Sequence, residues 1–91
     1  MKPVRLKYHY REAVAGLAGM QASFDSGDYR EVEKLSLEVF ADTRKLKALS
    51  AEYAPVASEL RRRTVELVRR TAIRAEFELS LIHISEPTRP Y

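Results

Sequence analysis

The sequence predicts an all-α fold, an antiparallel three-helix bundle made of a helical hairpin and a third helix. Apolar residues recur at spacings of three and four through three successive segments, which is the pattern of helices packed side by side. Turn-forming residues separate these segments: DSGD at 25–28, and Pro55 at the end of 50–55. Up to Glu78 the chain is dominated by Glu, Arg, Leu, Val and Ala, most of which favour helices. We therefore expect a bundle domain over residues 1–78.

The first segment contains an apolar seam whose members are spaced by four and three residues. This seam consists of Leu6, Tyr10, Ala13, Leu17, Met20 and Phe24. The start of the segment, VRLKYHY, alternates apolar and polar residues as a strand does, but the sequence shows no partner strand. We expect a loose lead-in followed by a helix that is firm from about Tyr8, with His9 exposed to solvent.

The second helix is predicted to run from Tyr29 to about Tyr53 after a tight corner. Gly27 can adopt the left-handed conformation that closes a helix, and Asp28 followed by Glu31 resembles a capping box. So short a connection predicts that the first two helices are antiparallel. The predicted seam of helix two consists of Val32, Leu35, Val39, Leu46, Leu49 and Tyr53, with Ser36 and Phe40 beside it.

Asp42 falls where the seam of helix two would place an apolar residue. Because unpaired carboxylates are almost never fully buried, the favoured interpretation puts Asp42 at the edge of the seam, reaching water or Lys45. The alternative interpretation is a buried ion pair with an arginine of helix three, which would fix the register of the bundle.

The third helix is predicted to run from Pro55 to at least Glu78. Proline disfavours helical geometry in the preceding residue, here Ala54, but suits the first position of a new helix. The predicted apolar face consists of Ala57, Leu60, Thr64, Val65, Leu67, Val68, Ala72 and Ala75. The predicted charged face consists of Glu59, Arg62, Arg63, Glu66, Arg69, Arg70 and Arg74. Glutamates precede arginines by four residues on this face, the favourable order for ion pairs.

Two apolar residues, Ile73 and Phe77, lie one turn apart on the charged side of helix three. Single exposed apolar residues are common on protein surfaces, so one interpretation gives these two no role. The other interpretation is that they contact a partner or a further helix, and a fourth helix missing from this chain would explain them. On this second interpretation the candidate partner-binding residues are Val56, Ile73 and Phe77.

The arginines of helix three allow a different functional interpretation. A basic helix face can bind phosphates, and the candidate phosphate-binding residues are Arg62, Arg63, Arg69, Arg70 and Arg74. However, Glu59 and Glu66 lie among them, and mixed charges at high density are typical of a solvated helix surface. The net charge of the chain is only +3. A small nucleic-acid-binding regulator is therefore kept as the alternative function.

The sequence contains no recognisable catalytic constellation, so we do not expect an enzyme. His9 is the only histidine before residue 83, the glycines lack the spacing of a phosphate loop, and cysteine is absent. No metal site or cofactor is therefore predicted. No apolar run approaches the ~20 residues needed to span a membrane, and the lack of cysteine agrees with a reducing cytoplasm.

The end of the chain differs in character from the rest. Residues 79–89, LSLIHISEPTR, resemble the translation of a transposase adapter used to prepare sequencing libraries. This resemblance implies that residues 79–91 are a non-native tail and that the natural chain is longer than the bundle domain. We expect residues 79–84 either to extend helix three briefly or to lie loosely, and residues 87–91 to be irregular because of Pro87 and Pro90.

The stretch GDYREVEKLSLEVFADTRKLKAL, entered from a helix that ends MQASF, resembles small flagellar type III export chaperones of the FliT type. The resemblance covers roughly residues 8–74 and consists of a pattern of helices and corners. It implies a fourth helix that regulates client binding. We therefore predict a non-enzymatic protein-binding module, an export chaperone or adaptor that receives an amphipathic client helix or associates with itself.

Overall fold

The protein is an all-α bundle of three helices, as the sequence predicts. The computed structural model describes the backbone of residues 3–85 and the side chains of residues 5–78. Helix α1 spans Pro3–Ser26, α2 spans Tyr29–Leu49 and α3 spans Ala54–Ser85, with a short 3-10 turn at Ala51–Tyr53 before α3. The described backbone contains no strand. Because each helix reverses direction at a corner, α1 and α3 run parallel to each other and antiparallel to α2.

The prediction of a loose lead-in at the N-terminus is wrong, because α1 already begins at Pro3. Proline suits the first turn of a helix, where its missing N–H has no intrahelical partner to lose. The alternation in VRLKYHY therefore does not decide the conformation. A helix satisfies its own backbone hydrogen bonds, whereas a strand would need a neighbour that the described structure does not provide.

The corner between α1 and α2 forms as predicted. Gly27 has a φ of +83°, and its N–H donates to the carbonyl of Phe24 while the N–H of Asp28 donates to that of Ser23. This is the Schellman arrangement that closes a helix on a left-handed residue. The Asp28 carboxylate then accepts a hydrogen bond of 3.2 Å from the backbone N–H of Glu31, which caps α2.

The corner between α2 and α3 differs from the prediction in two respects. Helix α2 ends at Leu49 and not near Tyr53, because Ser50 is extended (φ −156°, ψ 125°). Ala54 is helical (φ −57°, ψ −44°), so Pro55 does not force it out of helical geometry. The chain has already reversed at Ser50, and Pro55 lies in the first turn of α3, where a missing N–H costs nothing.

The interface between α1 and α2 is built from small residues. A Cβ added at Gly16 would lie 2.7 Å from Cγ2 of Val39, and one added at Gly19 would lie 3.1 Å from Cδ1 of Leu35. Ala13, on the same helix, is fully buried in the core cluster. The two helices therefore approach so closely that a larger side chain at residue 16 would displace Val39.

The buried seam of α3 is also partly different from the prediction. Thr71 is buried, whereas Val65 and Ala72, which were assigned to the apolar face, are exposed. The buried seams consist of Val32, Ser36, Val39, Thr43 and Leu46 in α2, and of Ala57, Leu60, Thr64, Leu67 and Thr71 in α3. The hydroxyls of the buried threonines donate to backbone carbonyls three or four residues earlier, at 2.8–3.0 Å. Their polar atoms are thus satisfied within their own helices.

The prediction that His9 is exposed is wrong, because His9 and Asp42 form a pair between α1 and α2. Asp42 is partly buried at the edge of the seam, as the favoured interpretation has it, but its partner differs from the predicted ones. His9 is only 7% exposed, and its Nδ1 lies 2.9 Å from Oδ1 of Asp42, whose side chain is 16% exposed. Since an ionised carboxylate only accepts, Nδ1 is the donor in this hydrogen bond. Asp42 is thus satisfied by a histidine of helix one, neither by Lys45 nor by an arginine of helix three.

The end of α3 follows the first of the two predicted alternatives. The helix continues through the segment that resembles an adapter as far as Ser85. The irregular conformation predicted for residues 87–91 lies outside the described residues.

Candidate functional site

The three helices do not contact one another equally. Helix α2 lies in the middle and packs against both of the others, whereas α1 and α3 contact each other much less. The space between α1 and α3 is an elongated surface depression, which we call the α1/α3 groove. Three hollows of about 360, 460 and 390 Å³ follow one another along this groove.

The two walls of the groove differ in charge. The α1 wall is formed by Tyr10, Val14, Leu17, Ala18, Gln21 and Phe24. The apolar part of the α3 wall is formed by Val56, Leu60, Leu67, Ile73 and Phe77. The charged part of the α3 wall, which we call the arginine rim, is formed by Glu59, Arg62, Arg63, Glu66, Arg70 and Arg74. The floor of the groove is therefore apolar, and the residues of the α1 wall carry no charge. The α3 wall has more arginines than glutamates.

The three candidate partner-binding residues all lie in this groove. Val56 borders the first hollow, and Ile73 and Phe77 border the last, together with Phe24 of α1. Ile73 and Phe77 are 61% and 56% exposed. From Val56 to Phe77 the α3 wall is about 32 Å long at ~1.5 Å per residue. The groove is thus long enough for a helix of about twenty residues.

The end of the groove near Phe77 is braced by the corner between α1 and α2. The rings of Phe24 and Tyr29 lie 6.1 Å apart, and the Tyr29 hydroxyl donates a hydrogen bond of 2.7 Å to Oε2 of Glu78. The same glutamate oxygen lies 3.8 Å from Nε of Arg74. The hydrogen bond to Glu78 raises the pKa of the Tyr29 hydroxyl above its usual value. Phe24 and the C-terminal part of α3 are thereby held on the same side of the bundle.

The arginine rim is an internal network of exposed ion pairs. Arg62 donates two hydrogen bonds to Glu59 at 2.7 and 3.1 Å, and Arg63 donates one at 3.0 Å. Arg62 and Arg70 lie 3.7 and 3.4 Å from Glu66. The hydrogen bonds from Arg62 and Arg63 lower the pKa of the Glu59 carboxyl to about 2, and the bonded Glu59 raises the pKa of Arg62.

The five candidate phosphate-binding arginines are all exposed on the face of α3 where the sequence places them. Glutamates of the same helix lie within 4 Å of four of them, Arg62, Arg63, Arg70 and Arg74. Arg61 lies elsewhere, with its guanidinium 5.3 Å from the centre of the Phe40 ring. The structure thus brings four of the five arginines to the groove, each with a carboxylate beside it.

Sequence reasoning missed the α1 wall of the groove. It assigned Tyr10, Leu17 and Phe24 to the buried seam and gave Val14 no role, yet Tyr10 and Val14 are 41% and 40% exposed. A signal was present, because Tyr10, Val14, Leu17 and Gln21 recur at helical spacing beside the small residues of the true seam. Such a stripe can be recognised only once the close contact between α1 and α2 is known.

The described residues were also compared with metal sites, membrane-spanning helices and known proteins. Among the side chains of residues 5–78, no group of three or more His, Asp or Glu residues comes together as a metal site. No helix within the described part of the chain combines the length and apolar character needed to cross a membrane. No protein-family model, curated protein or solved structure matches this chain.

Proposed function

We propose that the protein is a non-enzymatic binding module that receives an amphipathic helix of a partner protein in the α1/α3 groove. The observation that carries this proposal is the exposure of Val14, Ile73 and Phe77 along one continuous groove between two parallel helices. An amphipathic helix laid between α1 and α3 would cover this apolar floor and complete a four-helix arrangement. The resemblance to export chaperones supports a role as an export chaperone or adaptor acting in the cytoplasm.

Nucleic-acid binding remains the second candidate, and the structure offers it less support. The arginines of the rim have glutamates beside them, so the field they present to a phosphate backbone is weakened. The floor between the walls is apolar and offers phosphates no donors. Binding to a 20-base-pair DNA duplex that weakens steeply between low and moderate salt would favour this candidate.

The test uses a fluorescent 21-residue peptide with leucine at the a and d positions of three heptads and glutamine beside them. The full chain is expected to bind this peptide, whose flanks carry no charge, and fluorescence anisotropy measures the binding. The double substitution Ile73→Ser and Phe77→Ser removes apolar contacts worth roughly 1.5–3 kcal/mol each, so binding is expected to fall at least a hundredfold. The control is Leu37→Ser, because Leu37 is 71% exposed on α2 and does not border the groove.

Helicity and melting temperature of the double variant decide between the possible outcomes. Retained folding with lost binding supports the proposal. Unfolding of the double variant would show that Ile73 and Phe77 belong to the core of the domain. Unchanged binding in the double variant would place the peptide elsewhere on the molecule.

A further inference from the structure

We infer that the partner helix carries carboxylates along the flank that faces α3, and that these carboxylates pair with Arg70 and Arg74. This inference rests on the proposed function, because it names the chemistry of the helix that the groove receives. It follows from the unequal charges of the two groove walls and from the positions of the arginines beside the apolar anchors.

The charge of the arginine rim is only partly balanced by its own helix. The groove is lined by four arginines and two glutamates, a third glutamate, Glu78, lies 3.8 Å from Arg74, and the α1 wall opposite them is uncharged. Glu59 is already bound by both Arg62 and Arg63, and Glu66 is shared by Arg62 and Arg70. A helix in the groove therefore meets excess positive charge on one side and none on the other.

Arg70 and Arg74 are the arginines best placed to take a carboxylate from a partner. Their ion-pair distances to glutamate oxygens are 3.4 and 3.8 Å, whereas Arg62 and Arg63 are hydrogen-bonded to Glu59 at 2.7–3.1 Å. Both border the same hollow as Ile73 and Phe77 and are about 60% exposed. An acidic residue one turn from an apolar anchor of the partner helix would reach them.

The same charges argue against a second copy of this chain as the occupant. The whole chain has a net charge of +3, so long-range electrostatics do not favour a second copy. The buried seams of the three described helices are already used within the bundle. An acidic helix from another protein is attracted by the rim and has an apolar face to contribute.

The experiment compares three peptides that share the leucine seam and carry Glu, Gln or Lys along one flank. At low salt the Glu peptide is expected to bind the full chain about fivefold more tightly than the Gln peptide, as two partly exposed ion pairs would produce. The Lys peptide is expected to bind more weakly than both. At 0.5 M NaCl the three affinities are expected to converge, because salt screens exposed pairs.

Two charge-neutralising variants locate the effect. Arg70→Gln combined with Arg74→Gln is expected to remove most of the preference for the Glu peptide while the Gln peptide binds as before. Arg30→Gln combined with Arg44→Gln is the matched control, since it removes two exposed charges of α2 that do not border the groove. This control is expected to retain the preference for the Glu peptide.

The results separate this inference from the proposed function. Equal binding of all three peptides, abolished by the Ile73 and Phe77 substitutions, would overturn the charge inference and leave the groove a helix-binding site. Failure of every peptide to bind would overturn both. Dimerisation of the chain alone through Ile73 and Phe77 in sedimentation, or displacement of the Glu peptide by duplex DNA, would overturn the choice of an acidic helix as occupant.

Discussion

The interface between α1 and α2 and the space between α1 and α3 involve the same helix but differ in what fills them. Against α2, helix α1 presents Gly16 and Gly19, and the two helices approach until a Cβ at residue 16 would collide with Val39. Toward α3 it presents larger residues, Val14 and Leu17, which border open hollows. The small residues make a closed interface, and the larger ones leave a groove.

This difference shows how a three-helix chain leaves one apolar surface exposed while its other helix interfaces stay closely packed. Because α2 lies between the outer helices and contacts both, the outer helices can stay apart without exposing the central seams. Substitutions in the α1/α2 interface should therefore change stability, and substitutions in the groove should change binding.

The largest effect on stability is expected from Met20→Ala. Met20 is fully buried in the core cluster shared by the three helices, so truncation leaves a cavity and should lower the free energy of unfolding by about 3 kcal/mol. Leu37→Ala on the exposed face of α2 is the control and should change it by less than about 0.5 kcal/mol. Urea denaturation followed by circular dichroism measures both. Similar losses in the two variants would mean that Met20 is not a core residue.

Gly16→Leu should have the next largest effect. The added side chain would meet Val39 and force the two helices apart, which is expected to lower the free energy of unfolding by about 2 kcal/mol. Ala15→Leu places the same side chain one residue away at an exposed position and should be neutral or slightly stabilising. If Gly16→Leu were tolerated as well as Ala15→Leu, the close contact between α1 and α2 would be disproved.

A smaller loss is expected from Asp42→Ala, which leaves His9 buried without its acceptor. The free energy of unfolding should fall by about 1–2 kcal/mol at pH 7. Asp42→Asn keeps an acceptor oxygen and should restore part of the loss. The double replacement of His9 and Asp42 by leucine leaves no polar group unsatisfied, so it should cost less than Asp42→Ala alone in the same urea experiment. A double variant less stable than Asp42→Ala would contradict this account.

The smallest effect concerns the arginine rim, whose ion pairs are exposed to solvent. The Glu59 carboxyl is expected to titrate near pH 2 in a carbon-detected NMR experiment. Because its pKa is lowered by folding, its small contribution to stability is present above about pH 4.5 and is lost as the pH falls through about 2. Arg62→Gln combined with Arg63→Gln should return the midpoint toward 4.5. A midpoint that stays near 2 in this variant would exclude the two arginines as its cause.

The features that sequence reasoning predicted correctly depend on local signals. Gly27 specifies the first corner by its left-handed conformation, and Asp28 by its capping carboxylate. Both act only on residues close to them in the sequence. The pairing of Glu59 with Arg63 follows from helical spacing alone. The three helices themselves follow from the recurrence of apolar residues at spacings of three and four.

The features that it predicted wrongly depend on which residue of one helix meets another. Burial was assigned by hydrophobicity, which favoured Tyr10 over His9 and Val65 over Thr71. In the structure, polar side chains are also buried where a partner satisfies them, and the Thr71 hydroxyl is satisfied by a carbonyl of its own helix. The pairing of His9 with Asp42 joins residues 33 positions apart, and no local pattern marks it.

The central claim is that the α1/α3 groove is a binding surface and not an unfilled part of the core. Methyl NMR spectra of the full chain titrated with the Glu peptide test it most directly. We expect shifts of the methyl signals of Val14, Val56 and Ile73, which border the groove, while Leu37 and the buried Val39 stay unchanged. Shifts centred on Leu37, or spread over the buried seam, would contradict the account.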